Sequence, residues 1–254
     1  MSATEKWVDA YLERIGASRG SDLAELQHRH LLSVPFENLS IHLGEEMVLE
    51  SEALVSKIVD RRRGGFCYEL NGAFATLLAA LGHQVELLQA RVSTPDGVGI
   101  PYDHLALRVD GGILADVGFG SFSHYPLRLG ERRDQSDPAG RFRIVETAGG
   151  DLDVFLNDQP EYRLETRPRM LSDFVAGCWW HRTSPQSHFT RQVICSRLTR
   201  HGRISLSGSR NLITTALDGT RTTETLDDDA AVLAAYRKHF SIELTEVPTV
   251  RSGL

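Results

Sequence analysis

The chain has 254 residues, of which 41% are hydrophobic and 24% are charged, so it can form one large domain or two to three small ones with an ample core. Its net charge of −6 argues against a general nucleic-acid-binding protein, which needs a basic surface. No apolar run approaches the ~18 residues of a membrane helix, and three cysteines are too few for a disulfide framework. We therefore expect a soluble cytoplasmic protein that binds neither nucleic acid nor membrane.

Helical periodicity dominates the first 82 residues. The apolar pattern predicts helices over residues 7–15, 22–34, 51–63 and 67–81. Ser2 and Glu5 have the spacing of a capping box ahead of the first helix. Asp22 and Ser51 are the expected N-caps of the second and third helices, and Gly82 is the expected stop of the fourth.

After residue 82 the apolar residues recur with a shorter period, which predicts a β-rich middle region. Strand-like runs separated by turn signals cover residues 85–88, 104–109, 113–119, 142–146 and 152–156. The polar stretch 130–140 is predicted to be a loop. A short helix is expected within 171–180, then strands at 189–198, 203–206 and 212–217, and a last helix over 227–240.

Cys67 is the candidate nucleophile. A cysteine in a globular protein is most often a small buried apolar residue. Cys67, however, follows shortly after two glycines, which permit a sharp turn, and it begins a predicted helix. A helix N-terminus and a nearby imidazolium both favour the reactive thiolate. Cys178 and Cys195 lack this setting, and we interpret them as structural.

His104 and Asp116 are the candidate partners of this cysteine, although either could be an ordinary strand or turn residue. If residues 110–112 form a three-residue hairpin loop, Val109 pairs with Ile113, and His104 and Asp116 then share one face of the sheet as diagonal neighbours. A two-residue loop would place them on opposite faces unless a bulge intervened. On the shared face, His104 can act as the base and Asp116 can orient its ring.

Two further features surround this candidate site. Glu37 follows a proline turn, and Arg63 ends a run of three arginines. Such a run is usually a solvated helix end, but one arginine could pair with Glu37 and fix the loop that carries Cys67. The backbone amide of Cys67 could contribute to an oxyanion hole. No histidine or cysteine spacing matches a metal site, so we expect no metal.

Five segments in register resemble the arylamine N-acetyltransferase family. They are VPFENLS (34–40), RGGFC (63–67), DHL (103–105), DVGFG (116–120) and SPQSHF (184–189). The resemblance implies an α+β fold with a cysteine-protease or transglutaminase-like core. It has a helical bundle, a central β-barrel and a C-terminal α/β lid, which we assign to residues 1–82, 83–170 and 171–254.

The resemblance also implies the chemistry and the site residues. It implies a catalytic triad of Cys67, His104 and Asp116, with acetyl-coenzyme A as co-substrate and an arylamine, arylhydroxylamine or hydrazine as acceptor. By the same match, Glu37 and Arg63 form a supporting ion pair. The acceptor pocket is expected to be lined by Phe36, Phe119 and Gly120.

The leading hypothesis is therefore a ping-pong acetyltransferase, monomeric or homodimeric, that works through an acetyl-cysteine. Three alternatives remain open at the level of sequence. One is an amide synthase of natural-product biosynthesis that uses a carrier-bound or coenzyme A-bound acyl donor. Another is a transglutaminase-like cysteine hydrolase, and the third is a catalytically inactive binding module.

Overall fold

The structure, a computed structural model, describes residues 3–208 and 210–250. Its helices are α1 (Ala3–Ile15), α2 (Leu23–Ser33), α3 (Leu39–Leu43), α4 (Ser51–Val59), α5 (Cys67–Ala80), α6 (Val175–Thr183), α7 (His188–Arg191) and α8 (Asp229–Ala235). A 3-10 turn, Leu171–Phe174, precedes α6, and a π turn, Tyr236–Phe240, follows α8. The predicted capping box of Ser2 and Glu5 lies outside the residues whose side chains are described.

The strands follow the same chain order. They are β1 (Phe36–Glu37), β2 (Val85–Thr94), β3 (Gly97–Val98), β4 (His104–Val109), β5 (Ile113–Ala115), β6 (Leu127–Arg128), β7 (Gln135–Asp137), β8 (Gly140–Glu146), β9 (Leu152–Leu156), β10 (Gln159–Arg169), β11 (Ile194–Thr199), β12 (Gly202–Ser207), β13 (Asn211–Ala216) and β14 (Arg221–Thr225). The α+β class predicted from the sequence is confirmed.

Helix α5 is the centre of the N-terminal core. Every residue from Cys67 to Ala75 is buried, and so are Leu77 and Leu78. A helix that is buried all round must be enclosed by other elements, and α5 packs against α1, α4 and strand β4. The same core cluster contains residues of α1, α2, α4, α5 and β4. The barrel strand β4 is thereby fixed against the helix that begins at Cys67.

The middle strands form an antiparallel, nearly closed barrel in the order β6-β5-β4-β2-β10-β9-β8-β7. At the open seam, the Gln135 side chain of β7 accepts from the Arg128 amide of β6 at 2.7 Å and donates to its carbonyl at 3.0 Å. These bonds replace a strand ladder and bridge the barrel edges. The predicted loop over 130–140 is therefore wrong in part, because it contains β7.

A second sheet combines one N-terminal strand with four C-terminal strands, in the order β1-β11-β12-β13-β14. Strand β1 supplies Phe36 opposite Ser196 and Glu37 opposite Cys195. Helix α8 and its π turn share a core cluster with this sheet. The segment predicted as a simple proline turn is thus an edge strand that ties the N-terminal region to the C-terminal one.

Other local predictions were wrong, among them the strand over 113–119, of which only Ile113–Ala115 (β5) is a strand. Ser51 is the first residue of α4 rather than its cap, which is Glu50, and α4 ends at Val59 rather than at the glycines. The predicted strand over 189–198 begins as helix α7, and only its second half is β11.

Within the described ranges, no helix combines the length and the apolar character needed to cross a membrane.

Candidate active site

The first residue of α5 is Cys67, which is 4% exposed. The carboxylate of Glu69 accepts the Phe66 amide at 3.3 Å and binds the Lys57 ammonium at 2.6 Å, with both side chains buried. An acid at the third position of a helix satisfies an otherwise free amide and complements the helix dipole. This buried contact fixes the start of α5 and hence the position of the thiol.

The β4–β5 hairpin brings His104 and Asp116 together. Val109 pairs with Ile113, and Leu107 pairs with Ala115, so of the two loop lengths left open by the sequence the structure has the three-residue loop. Asp116 follows directly after β5. Its Oδ2 lies 2.7 Å from Nε2 of His104, and both side chains are almost wholly buried.

The other oxygen of Asp116 is held by two donors. Oδ1 accepts from Nδ2 of Asn71 at 2.8 Å and from the Gly118 amide at 2.9 Å. The hydroxyl of Tyr162 donates to Oδ2 at 3.4 Å. A buried carboxylate with this many donors is oriented and compensated as an anion. Because Asp116 occupies Nε2, Nδ1 is the remaining ring nitrogen of His104.

Burial raises the pKa of the Cys67 thiol. The carboxylates of Asp103 and Asp116 act in the same direction, while a hydrogen bond from the Leu105 amide opposes them. Sγ lies 4.0 Å from the carbonyl oxygen of Asp103, at the outer limit of a thiol hydrogen bond. As long as His104 is neutral, the surroundings of Cys67 therefore favour the neutral thiol. A positive charge on His104 would favour the thiolate.

A second histidine–aspartate pair, in which the histidine is buried and the aspartate mostly buried, lies beside the first. Nε2 of His181 is 2.9 Å from Oδ1 of Asp103, the residue before His104. Nδ1 of His181 lies 3.3 Å from Oγ of Ser187, the N-cap of α7. His181 thus connects α6 to the start of strand β4 and to the helix that carries His188 and Phe189.

The nucleophile Cys67 and both histidines of these pairs border one cavity of about 380 Å³. Its aromatic walls come from Phe36, Phe119, Trp180 and Phe189, and its polar groups include those of Cys67, His104, His181 and His188. The ring of Phe119 meets His104 edge to face, with centroids 5.1 Å apart. A thiol, a carboxylate-bound imidazole and an apolar lining allow acyl chemistry shielded from water.

The barrel loop approaches the nucleophile closely at Gly118. A Cβ atom there would lie 2.8 Å from Cα of Cys67 and 2.7 Å from Nδ2 of Asn71. Gly120 has a left-handed φ of 91° and lies against the Phe36 ring, where a Cβ would be 3.6 Å away. Among the described residues that line the cavity, Phe36 and Phe119 are present and Gly120 is not.

Comparisons with known proteins identify the family. A family model described as N-acetyltransferase matches residues 21–249. An arylamine N-acetyltransferase of Mycolicibacterium smegmatis is 36% identical over 260 aligned residues, which cover 93% of this chain and 92% of the relative. The chain belongs to the arylamine N-acetyltransferase family.

Solved structures agree with this assignment. The arylamine N-acetyltransferase of Salmonella typhimurium superposes on this family member with a TM-score of 0.86 at 28% identity, covering 100% of this chain and 95% of that one. The Mycobacterium marinum enzyme, solved in complex with coenzyme A, gives a TM-score of 0.82 at 33% identity, covering 92% of each chain. The combination of helices with a barrel-like sheet is thus the architecture of the family.

In this N-acetyltransferase family member, Glu37 and Arg63 lie behind the cavity rather than in it. Nη2 of Arg63 is 3.0 Å from Oε1 of Glu37, and Nη1 is 3.0 Å from Oε1 of Glu45. The second oxygen of Glu37 accepts the Leu39 amide at 2.7 Å. The cluster therefore connects β1, α3 and the segment that precedes Cys67.

Several site residues were missed by the sequence analysis. Asn71 could have been found, because it lies one helical turn after Cys67 and therefore on the same face of α5. His181 gave no local signal, since its partner Asp103 is 78 residues away.

All three cysteines, each within the described part of the chain, are free thiols. The described residues contain no group of three or more histidine, cysteine or acidic side chains that could hold a metal ion.

Proposed function

We propose that this chain transfers an acetyl group from acetyl-coenzyme A to an arylamine, arylhydroxylamine or hydrazine. The observation that carries the proposal is that Cys67 and the Asp116-bound His104 border the same apolar cavity. Membership of the family and the structural relative solved with coenzyme A support this choice of reaction and donor.

In the first half-reaction, Cys67 attacks the thioester carbonyl. Nδ1 of His104 accepts the thiol proton, and Asp116 stabilises the imidazolium through Nε2. Removing this proton is essential because burial raises the pKa of the thiol. The carbon–sulfur bond to coenzyme A breaks, and His104 returns the proton to the departing sulfur. An acetyl group then remains on Cys67.

In the second half-reaction, the acceptor nitrogen attacks the acetyl carbon. His104 takes a proton from that nitrogen and delivers it to Sγ of Cys67 as the thioester breaks. General acid–base help of this kind contributes about 10²–10⁴-fold to rate. The aromatic walls at Phe36, Phe119 and Phe189 suit a planar acceptor and keep water from the acetyl-enzyme.

The residues around the triad act as positioning groups in this proposal. Asn71 and the Gly118 amide hold Asp116, while the ion pair of Arg63 and Glu37 supports the segment before Cys67. The aromatic residues Phe36 and Phe119 contact the acceptor, and Gly120 shapes this wall by lying against Phe36.

Steady-state kinetics with acetyl-coenzyme A and a series of arylamines test the ping-pong order. Double-reciprocal plots at several fixed acceptor concentrations should give parallel lines. The enzyme should also exchange label between acetyl-coenzyme A and free coenzyme A without any acceptor. Intersecting lines together with no exchange would contradict an acetyl-enzyme intermediate.

A further inference from the structure

A cleft on another part of the molecule collects arginines. It lies where the C-terminal ends of α1 and α2 meet the end of β11, and its volume is about 450 Å³. Its basic lining consists of Arg14, Arg29, Arg197 and Arg200. None of the described residues that border this arginine cleft also borders the Cys67 cavity.

Acidic groups compensate only part of the positive charge in the arginine cleft: Glu13 also borders it, and Glu25 pairs with Arg29. Arg14 is only 9% exposed, and no carboxylate among the described residues forms an ion pair with Arg14, Arg197 or Arg200. Burial lowers the pKa of Arg14 to about 10, and repulsion from Arg62 and Arg197 adds to this effect. Burying an unpaired charge is costly. A cluster of positive charges with few acidic partners is unexpected in a chain whose net charge is −6, since acidic residues outnumber basic ones.

Backbone carbonyls satisfy only part of these guanidinium groups. Nη1 of Arg14 donates to the Ser33 carbonyl, and Nη1 of Arg197 donates to the Leu32 carbonyl, each at 2.9 Å. Nε and Nη2 of Arg14 and Nε of Arg197 are buried without a protein partner in the described structure. Capping the end of α2 therefore explains one nitrogen of each arginine and leaves three buried nitrogens without a partner among the described residues.

We propose that the arginine cleft is a binding site for a small phosphate-class oxyanion. A tetrahedral oxyanion accepts several hydrogen bonds at once, and guanidinium groups match it in both charge and geometry. One such anion would neutralise the repulsion between Arg14 and Arg197 and would accept hydrogen bonds from the parts of these guanidinium groups that border the cleft. The site would take either free phosphate or the phosphate group of a small metabolite.

Bound phosphate would connect two regions of the fold. Arg14 belongs to α1 and Arg197 to β11, which pairs with β1. An anion held between them stabilises the folded state by mass action, because the unfolded chain does not present the arginines together. The proposal concerns stability and binding, so it can fail while the acetyltransferase proposal stands.

Isothermal titration with inorganic phosphate, at constant pH and ionic strength, tests the site. The wild-type protein should bind one phosphate saturably, and phosphate should raise its Tm. Arg197→Gln should weaken this binding about tenfold, the effect of losing one charge-assisted contact. Arg221→Gln is the matched control, because Arg221 is exposed on β14 and has no ion pair among the described residues. Equal affinity in Arg197→Gln and Arg221→Gln, or no saturable binding, would overturn the proposal.

Three further measurements complete the test. Arg200→Gln alters an exposed residue of the turn after β11, so it should fold even if Arg197→Gln does not, and it should also weaken phosphate binding. Arg200→Gln should leave the KM for acetyl-coenzyme A unchanged, whereas a higher KM would place the phosphate in the co-substrate site and refute the separate cleft. Glycerol 3-phosphate binding more tightly than phosphate would assign a phosphorylated metabolite, and weaker binding would assign free phosphate.

Discussion

Asn71 holds Asp116 through a hydrogen bond of 2.8 Å from Nδ2 to Oδ1. The same amide group also donates to the Leu105 carbonyl at 2.6 Å, and Oδ1 of Asn71 accepts the Val117 amide at 2.9 Å. One side chain of α5 therefore fixes both strands of the hairpin that carries His104 and Asp116. The helix that begins at Cys67 thus also sets the position of the acid.

Replacing Asn71 should reduce turnover more than it reduces stability. We expect Asn71→Ala to lower kcat about 10–100-fold, the usual range for a residue that orients a catalytic ligand, and to cost about 1–3 kcal/mol through the unpaired buried groups. Steady-state kinetics and urea unfolding measure the two effects. Thr76→Val on the same helix is the control and should retain activity. A folded Asn71→Ala protein with wild-type kcat would refute this role.

Replacing His104 should make the Cys67 thiol harder to ionise. Burial raises the pKa of this thiol, and an imidazolium is the group that offsets that rise. In His104→Gln, the midpoint of the pH profile for iodoacetamide alkylation of Cys67 should therefore move to higher pH, above that of an ordinary thiol. Peptide mapping identifies the alkylated cysteine. An unchanged profile would show that His104 does not control the sulfur.

Removing His181 should affect acceptor binding as well as stability. His181→Leu leaves the Asp103 carboxylate without its buried partner and frees Ser187 at the start of α7. We expect a loss of about 1–3 kcal/mol and a higher KM for the arylamine, because Phe189, two residues after Ser187, lines the cavity. Adding Asp103→Asn removes the unpaired charge and should recover most of the stability. Equal KM values in His181→Leu and wild type would contradict the positioning role.

Lowering the pH should weaken the ion pair of Glu37 and Arg63 behind the cavity by protonating Glu37. Burial alone would raise the pKa of this carboxyl, but Arg63, Lys57 and the Leu39 amide hold it below its usual value. A lowered folded pKa means that the stabilisation is complete above the unfolded pKa of about 4.3 and is lost as the pH falls through the folded value. Urea unfolding from pH 7 to pH 3 should show a smaller decline for Glu37→Gln than for wild type. Identical declines would exclude Glu37 from the acid response.

Local sequence signals were sufficient for α5 and for the place of the catalytic hairpin. The apolar stripe and Gly82 marked the helix, and residues 110–112 marked the turn, but they left two registers open, and the structure has the one that faces His104 toward Asp116. Strand β10 was missed because it contains Pro160 and Pro168, which normally argue against a strand. In the structure, both prolines lie where the pairing shifts register.

Local sequence signals could not predict which strands and side chains pair across long distances in the chain. Strand β1 has only two residues, and it exists because Phe36 and Glu37 pair with β11, far along the chain. The link between His181 and Asp103 likewise depends on how α6 docks against the barrel. Such contacts follow from tertiary packing rather than from a local period, so the sequence predicted the triad candidates without the residues that hold them.

The acetyl-enzyme is the most direct test of the account. The folded, reduced protein should be incubated with acetyl-coenzyme A, and its intact mass and peptide map should then be measured. We predict one acetyl group, located on Cys67, that disappears when an arylamine is added and does not form in Cys67→Ser. No adduct, or an adduct on Cys178 or Cys195 instead, would contradict Cys67 as the nucleophile.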